Sequence, residues 1–175
     1  VGSEMCIRDS TEIRLLAWSM GVWAASRVFA EHSFPWQMKL AVNGTPFPID
    51  DRRGIPEKIF KGTLEHFSED TLARFRRRMC GSSGQTEEFL SHAPTRTAEE
   101  LREELAALAQ GITAYGSSSF IWDRAIIGNR DKIFPPRNQH EAWQGTEIME
   151  TEAEHYDTPL FSRLLEGKGE AWTRH

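Results

Sequence analysis

An apolar run from Ile13 to Trp18 meets Ser19-Met20-Gly21 and passes at once into VWAASRVFAEH, where small and apolar residues recur at helical spacing. A chain that goes from strand to helix within three residues must make a sharp turn. Such a turn tolerates only small residues two places before and two after its apex, and Ala17 and Gly21 occupy those places. The string Ala17-Trp18-Ser19-Met20-Gly21 is one substitution from the G-x-S-x-G elbow, in which a serine at strained dihedrals is raised at the end of a strand. In this context Ser19 is the candidate nucleophile, with the Met20 backbone N–H beside it as an oxyanion donor.

The rest of the chain alternates in the same way. Lys39 to Val42 is a short apolar run closed by the turn cluster Asn43-Gly44-Thr45-Pro46. Two short amphipathic helices follow, IPEKIFKGTLEHF and SEDTLARFRRRMC, the second capped by Ser68 with Thr71. Thr97-Ala98-Glu99-Glu100 opens a longer helix with Leu101, Leu105 and Leu108 on one face and Gly111 as its expected stop. Ile121 to Ile127 reads as a strand, Asn138 to Gln144 as a short helix, Glu147 to Glu150 as a strand, and FSRLLEG as a last helix. Strands alternating with helices predict an α/β fold with a parallel sheet.

Two further residues complete a chemistry with Ser19. Asp131, in Ile127-Gly128-Asn129-Arg130-Asp131, lies just past a strand end, on the carboxyl edge where sites gather in open α/β sheets. Asp123, inside the preceding strand, is a rival acid but is less free to orient a histidine. His155 follows Asp131 after one helix and one strand, which returns the chain to the same edge. His32, His66, His92, His140 and His175 read as surface residues, and His140 sits in mid-helix. The order Ser19, Asp131, His155 is that of the α/β hydrolases rather than of chymotrypsin or subtilisin.

Charge adds a second feature. The formal net charge is −5, yet between Arg52 and Arg78 bases outnumber acids two to one. Arg74, Arg76, Arg77 and Arg78 are the densest part of this basic stretch, which lies between two predicted strands as a lid would. The stretch is small and has little aromatic interleaving, which argues against nucleic acid. No run of 18 or more apolar residues indicates a membrane span, and no secretory pattern is present. Of the two cysteines, Cys6 and Cys80, the first lies in an atypical N-terminal stretch, so a reducing, cytoplasmic setting is expected.

Several strings go beyond generic hydrolase logic. LLAWSMGVWAASRV, AVNGTPFPIDDRRGIPEKIFKGTLE, LARFRRRMCG and AIIGNRDKIFPPRNQHEAW together resemble the biotin-synthesis BioG family, pimeloyl-[acyl-carrier protein] methyl ester esterases with an α/β-hydrolase fold. The resemblance runs from about Leu15 to Phe161. NGTPFPIDDRRGIP is its most specific piece, since no general hydrolase requirement explains it. By motif, the resemblance implies a triad of Ser19, Asp131 and His155, hydrolysis of a methyl ester on a pimeloyl chain, and no metal or bound cofactor. It also implies an acidic acyl carrier protein as partner, for which Arg74, Arg76, Arg77 and Arg78 are candidate contacts. Trp18, Met20 and Phe134 are candidate walls of the acyl pocket, with core packing the other role open to each. A general carboxylesterase or thioesterase shares the same three residues, and a noncatalytic carrier-binding protein is the alternative from another class. Oligomeric state is left open.

The first ten residues, VGSEMCIRDS, resemble the in-frame translation of a transposase-type sequencing adapter. On that reading residues 1–10 are non-native, and residues 11–175 form a partial α/β-hydrolase domain carrying a helical lid insertion at 46–96. The early strands of the sheet and the loop supplying a second oxyanion N–H are then missing, and turnover by this chain is expected to be impaired.

Overall fold

The computed structural model describes residues 13–174, so the expectation for VGSEMCIRDS lies outside the described residues. Four strands, β1 (Ile13–Trp18), β2 (Trp36–Val42), β3 (Arg124–Gly128) and β4 (Glu147–Thr151), form one sheet in the order β1-β2-β3-β4. Every pairing is parallel, so each strand must be left by a crossover. The crossovers are α1 (Gly21–Phe29), then α2 (Glu57–Glu65), α3 (Glu69–Cys80), α4 (Ser83–His92) and α5 (Ala98–Tyr115), then α6 (Pro136–Ala142); α7 (Thr158–Leu165) follows β4. The α/β class expected from the alternation is the one observed.

The sheet is buried on both faces because its strands carry apolar residues at consecutive positions. Leu40, Val42 and Ile126 point to one side, where Leu160 and Leu164 of α7 cover them. Ala41, Ala125 and Ile127 point to the other, against Val22 of α1 and Trp143. A third cluster lies above the carboxyl edge of the sheet, where Phe60, Met79 and Cys80 from the helical segment meet Ile133 and Phe134. Burial pushes the Cys80 thiol above its ordinary pKa, which makes it a poor nucleophile.

Local signals placed several boundaries well. Ser68 and Thr71 form a capping box at α3, and Thr97 and Glu100 another at α5. Three boundaries differ from expectation for tertiary reasons. Gly111 does not stop α5, which runs on to Tyr115 and ends at Gly116; a Cβ at Gly111 would lie 3.1 Å from the Trp23 indole, so the glycine lets that ring pack closely on the helix. β3 begins at Arg124 rather than Ile121: at Asp123 the carboxylate rather than the backbone carbonyl accepts the Lys39 N–H, at 2.8 Å, while the Asp123 N–H donates to the Lys39 carbonyl at 3.1 Å. α4 was not expected: SGQTEEFLSH has only Phe89 and Leu90 as large apolar residues, too few for an apolar stripe to announce a helix.

The NGTPFPIDDRRGIP segment, which follows β2, closes on itself. Thr45 is fully buried and its hydroxyl donates to the Arg53 carbonyl at 2.7 Å. Asp50 accepts the backbone N–H groups of Arg52 and Arg53 and the Arg53 guanidinium. Burial works against the Asp50 carboxylate, but these donors outweigh it and hold its pKa below the ordinary aspartate value. A carboxyl lowered on folding contributes stability above its unfolded pKa and loses that contribution as pH falls through the folded value. Asp50→Asn is therefore expected to lower the thermal midpoint at pH 7. The gap between parent and variant should close as pH falls below about 4, read by circular dichroism melts.

Candidate active site

Ser19 sits where β1 ends and α1 begins, at φ +58°, one of two positive-φ non-glycine residues among those described. The strain is held from both sides. The Ser19 N–H donates to the Val42 carbonyl at 3.0 Å, and the Ser19 carbonyl receives the Val22 N–H at 3.1 Å. Gly44 backs the turn so closely that a Cβ there would lie 2.1 Å from the Ser19 carbonyl oxygen. Ala17 and Gly21, expected to leave room for the turn, flank it in this arrangement. The Met20 N–H, at the first turn of α1, meets no acceptor among the described residues.

The structure brings Ser19, His155 and Asp131 into one hydrogen-bonded line. His155 Nε2 lies 3.0 Å from Ser19 Oγ, and His155 Nδ1 lies 2.9 Å from Asp131 Oδ2. His155 is 1% exposed and Asp131 4%, so the pair is shielded from water. Asp131 Oδ1 accepts the N–H groups of Ile133 and Phe134 at 2.7 and 2.9 Å, and Oδ2 accepts the Gln139 amide at 3.1 Å. Because every one of these partners is a donor, the carboxylate accepts throughout. The proton of the imidazole then sits on Nδ1, and Nε2 is free to accept from the Ser19 hydroxyl. Gln139, fully buried on α6, escaped the sequence reading; its place in Pro136–Ala142 eight residues past Asp131 carries no local signal.

The other acids and histidines fall elsewhere. Asp123 lies at the opposite, amino edge of the sheet, bound to Lys39. His32, His66 and His92 hydrogen-bond the carbonyl four residues earlier on their own helices, and His140 faces Glu150 at 3.3 Å. His175 lies outside the described residues.

An apolar cavity of about 230 Å³ opens at Ser19. Its walls include Met20, Ile55, Phe60, Phe75, Leu105 and Leu108, with Arg78 and Glu104 as its charged members. The covering layer therefore includes α5 and extends beyond the expected 46–96. Of the three expected pocket residues only Met20 lines this cavity. Trp18 and Phe134 flank the histidine instead, with ring centroids 5.2 and 5.9 Å from the imidazole, and Phe134 is almost parallel to it. Both take the packing role that was open to each of them: an apolar residue beside Ser19 or Asp131 can face the cavity or the imidazole, and its sequence position does not distinguish the two.

The four arginines also separate. Arg74, Arg77 and Arg78 are exposed on one side of α3, at the i, i+3, i+4 spacing of a single helix face, whereas Arg76 is half-buried on another. Arg78 reaches back and donates to the Lys132 carbonyl at 2.8 Å, next to Asp131. The end of the same helix receives the Tyr156 N–H on the Met79 carbonyl at 3.0 Å, next to His155. Among the described residues no group of three His, Cys, Asp or Glu could hold a metal ion.

The sequence model of the family described as "Pimeloyl-ACP methyl esterase BioG" matches residues 4–166. The chain belongs to the BioG family. It is 44% identical to a Haemophilus influenzae (strain Rd) protein over 154 residues, 87% of this chain and 69% of that one. The crystal structure of selenomethionine BioG from Haemophilus influenzae superposes with a TM-score of 0.79 at 44% identity, over 87% of this chain and 69% of that one. A Bacteroides fragilis malonyl-[acyl-carrier protein] O-methyltransferase is 50% identical over 155 residues, which are 87% of this chain and 32% of that protein. This BioG chain thus spans about a third of one curated relative and over two thirds of the other. An esterase from Exiguobacterium antarcticum, at 16% identity and a TM-score of 0.61, shares the fold.

The elbow makes a steric prediction. Gly44→Ala has to push the Ser19 peptide away, which is expected to cost about 2 kcal/mol or more, read as a lower denaturant midpoint. Labelling of Ser19 by a fluorophosphonate should slow in the same variant.

Proposed function

We propose that the site hydrolyses the methyl ester of a pimeloyl chain carried on acyl carrier protein, with Ser19 as nucleophile, His155 as base and Asp131 as its orienting acid. The observation that carries the reading is the continuous line from Asp131 through His155 to Ser19 at the mouth of an apolar cavity, in a chain of the BioG family. His155 Nε2 takes the Ser19 proton as Oγ attacks the ester carbonyl. The Met20 N–H stabilises the oxyanion of the tetrahedral intermediate, a term worth roughly 10² to 10³ in rate for one donor. Collapse breaks the bond to methoxide, which leaves as methanol with the proton from His155. Water, deprotonated by the same nitrogen, then releases the carboxylate from Ser19.

The cavity is apolar where a polymethylene chain has to lie and charged at Arg78 and Glu104. Arg78 is placed to meet the phosphate of a phosphopantetheine arm, and Arg74 and Arg77, exposed on the same helix face, to meet the acidic carrier. Arg76, half-buried, is left out of this docking face. No helix is long and apolar enough to cross a membrane among the described residues, and we assign the reaction to the cytoplasm, with the carrier.

The double variant Arg74→Glu/Arg77→Glu is expected to raise KM for methyl pimeloyl-carrier by about tenfold or more while leaving hydrolysis of a small soluble methyl ester unchanged. Equal losses on both substrates would sink the docking assignment. Ser19→Ala should abolish fluorophosphonate labelling, and an acyl thioester should be a poorer substrate than the methyl ester; the reverse preference would make the chain a thioesterase.

A further inference from the structure

Like Ser19 and Asp131, His155 lies outside the regular elements. It lies between β4 and α7, in a stretch where ladder and helix bonds are absent, and its ring must nevertheless reach two atoms at once. The carbonyls of Glu154 and His155 are oriented from outside the loop. Trp18 Nε1–H donates to the His155 carbonyl at 2.9 Å. The second donor comes from Asn43, the first residue of NGTPFPIDDRRGIP, whose amide donates to the Glu154 carbonyl at 2.9 Å and to the His155 carbonyl at 3.0 Å.

Asn43 is fully buried and its other polar groups are committed as well. Its side-chain oxygen accepts the Gly128 N–H at 2.7 Å, and its backbone N–H donates to Ile126 at 3.0 Å. Gly128 in turn accepts the Asp131 N–H at 3.0 Å. One side chain therefore joins the start of the acid loop to the backbone of the histidine, from a position next to the Gly44 that backs Ser19. The requirement is narrow: two donors, one acceptor and a backbone at φ +45°. Asparagine meets all of it, since it combines the amide with tolerance of the left-handed region. Aspartate keeps the shape and the acceptor but has no donor, and glycine keeps only the backbone conformation.

We infer that Asn43 is a positioning residue that fixes His155 between Ser19 and Asp131, and that this is why NGTPFPIDDRRGIP must begin with asparagine directly after β2. The inference deepens the esterase reading and rests on it for its kinetic consequence. A catalytic group displaced by about 1 Å can cost on the order of a hundredfold in rate, with little effect on ground-state binding.

The test compares Asn43→Gly and Asn43→Asp in the full 175-residue chain. Both are expected to lower kcat for methyl pimeloyl-carrier by about tenfold to a hundredfold with KM within about twofold. Amide exchange of residues 152–157, followed by mass spectrometry, is expected to quicken by about tenfold, because two hydrogen bonds to that loop are lost. Leu164→Ala, a cavity variant in the core beneath α7, supplies a comparison of lowered stability in which kcat is retained. Wild-type kcat in folded Asn43→Asp, or unchanged exchange over 152–157 in both variants, overturns the inference. A parent chain that neither turns over the ester nor reacts with a fluorophosphonate overturns the esterase reading instead, and the exchange measurement then decides on Asn43 by itself.

Discussion

The structure depends on one contact: the peptide of Ser19 pressed against Gly44. Between them there is no room for a single methyl group, since a Cβ at Gly44 would fall 2.1 Å from the Ser19 carbonyl oxygen. The contact joins the ends of two neighbouring parallel strands and lets the serine keep a φ of +58°. A turn in that region is costly for a residue with a Cβ and persists only where its surroundings over-determine it. Here the surroundings are the β1–β2 ladder below, the first turn of α1 on one side and Gly44 on the other. Raised in this way, the hydroxyl lies at the mouth of the cavity and within 3.0 Å of the imidazole.

A second constraint follows from burial. Strand ends at the carboxyl edge of a parallel sheet expose backbone donors and acceptors, and in a buried site each of them needs a partner. The molecule answers with side chains from distant parts of the chain: Gln139 on Asp131, Trp18 and Asn43 on the histidine loop, Asn138 on the carbonyls of Asp51 and Gly54, and Trp143 on Gly44. Most of these side chains hold the loops around Ser19, His155 and Asp131 without lining the cavity. Further bonds connect the helical cover to the same edge, since α3 bears exposed Arg74 and Arg77 at its surface and meets the loops of Asp131 and His155 through Arg78 and Met79.

Legibility in the sequence followed the range of the interaction. The elbow, the two capping boxes and the alternation of strands with helices depend on residues within a few positions of one another, and each was readable. What failed was long-range. Gly111 looks like a helix stop until Trp23 is seen lying across it, and Ile121 to Asp123 look like strand until Asp123 is seen capping Lys39. Trp18 and Phe134 could face an acyl chain or the packed interior, and only the tertiary contacts put them on the imidazole. The separation of Arg76 from Arg74, Arg77 and Arg78 is by contrast a local matter of helical spacing.

By itself the sequence determined which residues could do chemistry and in what order they come, because a serine flanked by small residues between strand and helix, an acid past a strand end and a histidine one crossover later are local patterns. It also marked NGTPFPIDDRRGIP as distinctive without revealing its use. The tertiary structure decided what those residues face. Which rings enclose His155, which helices wall the cavity and which buried amides hold the acid and histidine loops are matters of contact between residues up to 137 positions apart, as with Trp18 and His155. Periodicity and turn chemistry act over a few residues, whereas these contacts exist only once the sheet has brought its carboxyl edge together.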